Sequence, residues 1–381
     1  VRDAEPPIGI GVIDRLDAFL ALREEWDALF ERAARPHQVF QSHTVLRHWA
    51  THYLDARTRL SIVTLRREGR LVMIWPLVRQ RRLGLDTLRF MGLPIAQFGD
   101  VMAEQGADEA TLMRAGWRGV RSLRADLFEA RKLRADSALA QSGLLVGASC
   151  SERILAPFAD LACRVGPDGP SQAYAARERS NHRRRLRRLA ERGPLSFDMV
   201  PPGEEAMSLA LEAIAMKQVA LERHGIIAPA VSDSRFAAFF RDLAGDTSGS
   251  SPLRITAIRC NGTAIGIDLS LDCKGASFGH VIATHPDHER GGVGGILIHH
   301  SFAMAKARGS AIFDLLGPAD SYKLDHADGS TPVADLALPL SLKGRLLCRL
   351  GLQRLRPTLK SAVKRLPAPA TRLLAAWRAR R

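Results

Sequence analysis

Apolar residues recur along this chain with two periods, and the changes between them mark out its elements. Alternation or short apolar runs bounded by turn residues predict strands at Ile8–Ile13, Arg59–Arg67, Leu71–Arg79, Thr87–Met91 and Asp100–Ala103. A 3.6-residue period predicts helices over Arg15–Ala34, from the N-cap Ser42 to Tyr53, and over Asp108–Arg124. Glu68-Gly69-Arg70 reads as the turn of a hairpin. Leu127–Cys150 reads as strand, short helix and strand, and Gly166-Pro-Asp-Gly-Pro170 has the composition of a linker.

Beyond that point the pattern sharpens. Helices are expected over Tyr174–Arg192, Glu204–Arg223 and Ser232–Ala244. Leu253–Cys260 and Thr263–Asp272 flank Asn261-Gly262, a two-residue hairpin signature, because Asn and Gly tolerate positive φ. Lys274-Gly275 turns into a third strand, Ala276–Thr284. A glycine-rich stretch leads into a helix from Gly294 to Arg308, which Gly309 closes. Strands Ala311–Leu316 and Val333–Leu338 follow, the last stopped by Pro339. Hairpin, third strand, glycine turn, helix and strand imply a mostly antiparallel sheet with one parallel crossover. The expected fold class is α/β of the α+β type, with a twisted, mostly antiparallel sheet flanked by helices in each half. The expected divisions are 1–165, 171–340 with the basic helix 174–192, and a basic tail over 341–381.

Charge adds a location to this picture. The net charge is +15, yet Ser341–Arg381 alone holds twelve Lys/Arg and no Asp/Glu, and Arg177–Arg192 holds eight Arg against two Glu. Two segments carry the basic character, which speaks against a general nucleic-acid surface. The arginine helix reads as a cationic wall for coenzyme A, a polyanionic glycan or RNA. Few aromatics interleave it, which argues against base stacking. The tail mixes leucines and Trp377 with its cations and predicts an anionic membrane surface as partner. No run of about 18 apolar residues predicts a spanning helix. The five cysteines show neither metal-clip nor redox-pair spacing and read as reduced thiols.

The candidate chemistry centres on His285–Ile298. Gly291, Gly292, Val293, Gly294 and Gly295 form a turn feeding a helix N-terminus, with Arg290 beside them. Backbone amides there can close on an anion, and the helix dipole favours negative charge, so the stretch reads as a pyrophosphate cradle. Candidate bases are His280 in the third strand, and Asp268 and Asp314, carboxylates inside apolar strands where an unpaired charge is costly. His285, Asp287, His288 and Glu289 are adjacent on a loop and cannot all face one ion, so no metal is expected. No Gly-x-Ser-x-Gly elbow is present.

Several short motifs resemble one family. Phe40-Gln-Ser-His-Thr44 with Trp49 is similar to its "FQSP-x-W" region, and Phe90-Met-Gly92 with Phe98-Gly-Asp100 to its "FLG … YGD". The arginine helix is similar to its basic element. Pro286-Asp-His288 through Gly294, Ile296 and Leu297, then Phe313-Asp314 through Gly317, Asp320, Tyr322 and Lys323, follow the order of its C-terminal motifs. The family is the CelD/BcsL group of acetyltransferases in the GNAT superfamily, related to the FemABX peptidyltransferases. The resemblance implies tandem GNAT-like domains with acetyl-CoA or another acyl-CoA as co-substrate. It places the thioester in the splay between Ala276–Thr284 and Ala311–Leu316. Tyr322 would be the acid for the departing thiolate, and Lys323 would bind a phosphate or an acceptor carboxylate. A small-molecule or glycan acceptor, a link to cellulose or exopolysaccharide production, and a cytoplasmic location at the inner membrane also follow from it. The chain departs from the pattern at His288, at Gly291-Gly-Val293 and at Glu289, which stands where the wider superfamily has Arg or Gln and would repel a pyrophosphate. Two alternatives therefore stand: an aminoacyl-tRNA donor, as in FemABX relatives and the one case with a nucleic-acid partner, or a catalytically silent scaffold of a polysaccharide synthase.

Overall fold

Proline has no amide to give to a ladder, and Pro76 divides the apolar run 71–79 between two sheets. The computed structural model describes residues 7–82, 84–288 and 291–349. They belong to two units. One runs to Ile154 and resumes at Thr331, and the other is Leu155–Ser330.

In the first unit, β1 (Ile8–Ile13), β3 (Ile62–Arg67), β4 (Arg70–Trp75) and β7 (Met102–Ala103) form one sheet in that order. A second runs β2 (Thr58–Leu60), β5 (Leu77–Arg82), β6 (Leu85–Phe90), β8 (Leu127–Arg134) and β17 (Gly329–Pro339). The helices are α1 (Leu16–Ala21), α2 (Arg23–Ala33), α3 (His43–Tyr53), α4 (Glu109–Ser122), α5 (Ala138–Gln141) and α12 (Leu342–Arg349). The expected helix 15–34 is broken at Leu22, and the expected strand 59–67 divides at Ser61. Trp75 and Phe90 meet Phe128 edge-on at 5.7 Å in the core, and Arg131 Nε holds Asp335 of β17 at 3.0 Å. Residues 350–381, most of the expected tail, lie outside the described residues.

The second unit contains β9 (Ser149–Asp160), α6 (Leu161–Arg164), β10 (Val165–Gly166), β11 (Gly169–Pro170), α7 (Ala176–Ala190), β12 (Leu195–Val200), α8 (Glu204–Arg223) and α9 (Ser234–Ala244). β13 (Leu253–Cys260), β14 (Thr263–Cys273), β15 (Ala276–Thr284), α10 (Val293–Ala307), β16 (Ile312–Asp314) and α11 (Ser321–Leu324) complete it. Its sheet runs β12-β13-β14-β15-β16-β9, antiparallel except for β15 with β16. Asn261 (φ 53°) and Gly262 (φ 77°) make the hairpin turn. The stretch expected as a linker is instead the two-residue hairpin β10–β11, and β12 was not anticipated. Ile296 and Leu297 of α10 share a core with Ile258 and Ile265 of the sheet and Leu189 of α7. The fold class is the expected one: mixed α/β, with mostly antiparallel sheets flanked by helices.

Candidate functional site

The parallel crossover makes a gap. β15 and β16 pair only from Ala276 and Ile312 to Phe278 and Asp314. β15 runs on to Thr284, while the other strand stops and the chain turns through Leu316 at φ 58°. The two strands therefore part after Phe278. At the same point β15 carries a bulge: Leu269 of β14 faces Val281 but Ser270 faces Gly279, which leaves His280 as the extra residue. Its imidazole packs against Phe240 and Phe236 of α9, with centroids at 4.9 and 5.9 Å.

The far wall of the gap is the turn after β16. Buried Asp314 accepts the Leu316 N–H at 2.8 Å through Oδ1 and so shapes that turn. Lys323, also buried, folds back on it, and its Nζ donates to Leu316 O at 3.0 Å and Pro318 O at 3.1 Å. Asp320 Oδ2 lies 3.7 Å from the same ammonium. Burial pulls the Lys323 ammonium down to about 8 against the raising effect of Asp320. Tyr322 keeps 41% of its surface exposed, yet desolvation first and Asp320 second push its ionisation up to about 12.

The near wall follows from strand pairing. His285 N–H donates to Ile265 O at 2.8 Å, so 265 and 285 are a hydrogen-bonded pair. Pairs alternate along an antiparallel ladder, which makes Asp268 and Ile282 a non-bonded pair with their backbone groups turned outward. The Ile282 carbonyl thus points away from β14, into the gap. Lys217 of α8 donates to it from 3.4 Å.

The glycine turn lies at the end of β15. Gly292 is the N-cap of α10 in the left-handed region (φ 75°, ψ 25°), a conformation that favours glycine. A Cβ there would stand 2.6 Å from Cδ and Nε of Arg185, whose Nη1 lies 3.4 Å from a Cβ built on Gly295. Arg185 of α7 therefore lies across the first turn of α10, where Val293, Gly294 and Gly295 contribute amides that a helix cannot satisfy internally. Arg192 donates to His288 Nδ1 at 3.4 Å, and Arg223 of α8 donates to Pro286 O at 3.2 Å. None of these three arginines meets a carboxylate among the described residues. An unbranched glycine turn, free amides and three cations suit a diphosphate such as that of coenzyme A.

The expected residues fall into distinct groups. Gly291–Gly295 form the turn, and Arg290 and Glu289 lie outside the described residues. Asp314, Tyr322 and Lys323 share the far wall, and His280 sits where the strands part. Asp268 is buried and accepts from Ser270 Oγ at 2.6 Å, with Ser301 of α10 nearby. Burial pushes its carboxyl up to about 6. Arg185 and Lys217 were not singled out. The arginine cluster was legible, but nothing in eight arginines identifies the one over the turn. Lys217 had a signal: it continues the buried stripe of Ala210, Ala213 and Ile214, an unusual place for a cation.

Comparison with known proteins agrees with this geometry. Residues 176–324 match the family model described as "Acetyltransferase (GNAT) domain". No curated protein matches the chain. Among solved structures, FemX superposes with a TM-score of 0.60 at 10% identity, over 86% of this chain and 97% of that one. A conserved protein of unknown function from Bacteroides thetaiotaomicron gives 0.53 at 9%, over 86% and 100%. L-PGS from Bacillus licheniformis gives 0.50 at 10%, over 87% and 95%. At such identities the likeness is one of fold. The domain match falls on the segment that builds the crossover, the glycine turn and the gap, and residues 176–324 are similar to an acetyltransferase domain of the GNAT superfamily.

Proposed function

We propose that the second unit moves an acetyl or other acyl group from acyl-CoA to an amine or hydroxyl acceptor linked to the cell envelope or to cellulose or exopolysaccharide production. The observation that carries this reading is Arg185 lying across Gly292 and the first turn of α10, at the end of a strand that parts from its parallel neighbour. Gly291–Gly295 and Arg185 would hold the diphosphate, with Arg290 as a further cation. The acceptor's nucleophile attacks the thioester carbonyl; the new bond to carbon forms as the carbon–sulfur bond breaks. His280 is the favoured base, since it stands at the bulge where the gap opens. Asp314 is engaged in the turn, and Asp268 pairs with a serine. Tyr322 would return a proton to the departing thiolate, and its raised ionisation keeps that proton available at neutral pH. Lys323 would brace the wall and add positive charge. In this reading 341–381 meets an anionic membrane surface from the cytoplasmic side.

A second reading, an aminoacyl-tRNA donor, has its own observation. Arg177, Arg183, Arg184, Arg185, Arg187 and Arg188 of α7 are exposed and meet no carboxylate among the described residues. Thermal unfolding with acetyl-CoA, coenzyme A and tRNA separates the two. A donor at 100 times its Kd stabilises the fold by about 2.7 kcal/mol. Acetyl-CoA is expected to raise Tm, and Gly294→Glu to remove that rise by filling the cradle with a carboxylate. No shift with any CoA species defeats the first reading. A tRNA shift that falls steeply with salt supports the second.

A further inference from the structure

Lys217 is a partly buried cation without a sufficient partner. It sits on the inward stripe of α8, and burial lowers its ammonium from the usual lysine range. An ammonium has three donors, and among the described residues its one hydrogen bond is the 3.4 Å approach to Ile282 O. No carboxylate comes within ion-pair reach of it among the described residues; Asp320 acts on it only at longer range. Lys323, across the gap, differs: its donors meet Leu316 O, Pro318 O and Asp320. The two ammoniums repel one another. A desolvated charge held this way is costly unless an anion completes it.

We infer that Lys217 is the anchor for an acidic group, carboxylate or phosphate, borne by the acceptor and lodged in the gap between β15 and the turn after β16. The position follows from geometry: Lys217 is hydrogen-bonded to the Ile282 carbonyl, which faces the gap from the near wall, away from the glycine turn that would hold the donor. Lys323 supplies the second positive wall, and the half-exposed Asp320 marks the open side and disfavours an anion lodging nearer α11. The acceptor would therefore carry its acid close to its nucleophile, which excludes neutral sugars and simple amines. The word acceptor rests on the transferase reading; the anion site does not.

The test uses the full chain and two probes, sodium acetate and inorganic phosphate, with ionic strength held constant by chloride. Acetic anhydride labels amines, and peptide mass spectrometry reports Lys217 separately from the exposed Lys274. Protection of Lys217 by about tenfold or more, with Lys274 unaffected, is expected from one probe, the scale of a single charge-assisted contact. Acetate protecting better points to a carboxylate-bearing acceptor, and phosphate to a phosphorylated one. Lys217→Met should lose the thermal stabilisation given by that probe, and Lys217→Arg should keep part of it. Equal labelling of Lys217 with and without both probes overturns the inference, as does a Lys217→Met variant whose probe-induced shift is unchanged. Acetyl-CoA keeps the outcomes apart. Its shift should survive in Lys217→Met, which also certifies the fold. Absence of that shift in the parent protein would sink the acyl-CoA reading while leaving the anion site standing.

Discussion

A single buried carboxylate sets the tone at the scale of residues. Asp268 is 1% exposed, takes one hydrogen bond from Ser270, and leaves its Oδ1 unbonded beside Ser301. Its folded value of about 6 exceeds the ordinary carboxylate value near 4. The folded protein thus binds a proton that the unfolded chain releases, and stability from this group is present at acid pH and lost as pH rises from about 4 to about 6. Asp268→Asn keeps an acceptor for Ser270 and removes the charge. It is expected to gain on the order of 1–3 kcal/mol at pH 7.5 and to flatten this window, as read by urea unfolding at pH 4.5 and 7.5. A variant less stable than the parent at pH 7.5 would mean that the charge itself is needed. That Asp268 was special could be read from its place in an apolar run. That two serines would surround it could not, because cross-element neighbours have no signature in a one-dimensional pattern. The same holds for Asp314, whose partner is an amide two residues on.

Helix α7 is held to its neighbours by rings as well as leucines. His182 of α7 meets His299 of α10 edge-on at 4.8 Å, and His299 meets His326 at 5.0 Å. Tyr174 bonds His326 Nδ1 at 3.0 Å, Arg164 covers the Tyr174 ring at 4.8 Å, and Arg164 pairs with Asp328. Burial, then neighbouring cations, pull His299 down to about 3; burial pulls His326 to about 4 and lowers His182. Arg164 opposes protonation of both rings and Arg185 that of His299, while Asp325 favours it at His326. Here the sign is the reverse of Asp268. The unfolded chain binds more protons below about 6.5, so stability is complete above that value and lost as pH falls towards 4. Each group contributes a slope of about 1.4 kcal/mol per pH unit in its window. His299→Phe is expected to flatten the loss between pH 6.5 and 4.5; an unchanged slope would exclude the stack as the acid-sensitive element. Because α7 carries Arg185 to the glycine turn, the same titration should weaken any anion held there. At this scale much was legible: α8, the Asn-Gly hairpin and α10 were found nearly to the residue, since long periodic segments and turn chemistry are local. β12 was missed although Leu195, Phe197 and Met199 alternate. It is an edge strand, and Phe197 and Met199 stay 38% and 51% exposed. The stretch 166–170 looked like a linker because tight hairpins and linkers share Gly and Pro.

For the molecule as a whole, the charge asymmetry makes its own prediction. Nine of the Lys/Arg residues lie in 350–381, with no acidic residue among them. Protein spanning 1–381 is expected to co-sediment with anionic vesicles at low salt and to lose this on truncation to 1–349; equal pelleting of the two would rule out a membrane role for that segment. The mixed α/β class and the crossover were legible because hairpin, strand, glycine turn and helix follow one another in sequence. The chain's return to its first unit was not, because it joins elements far apart in number. β8 is completed by β17, and the Arg131–Asp335 contact closes a separation of 204 residues. On a ribosome adding about 5–20 residues per second, that separation is roughly 10–40 s. Throughout that interval β8 has an open edge of the kind that invites wrong partners. The unit that begins first is finished last, after the whole of 155–330 has been made.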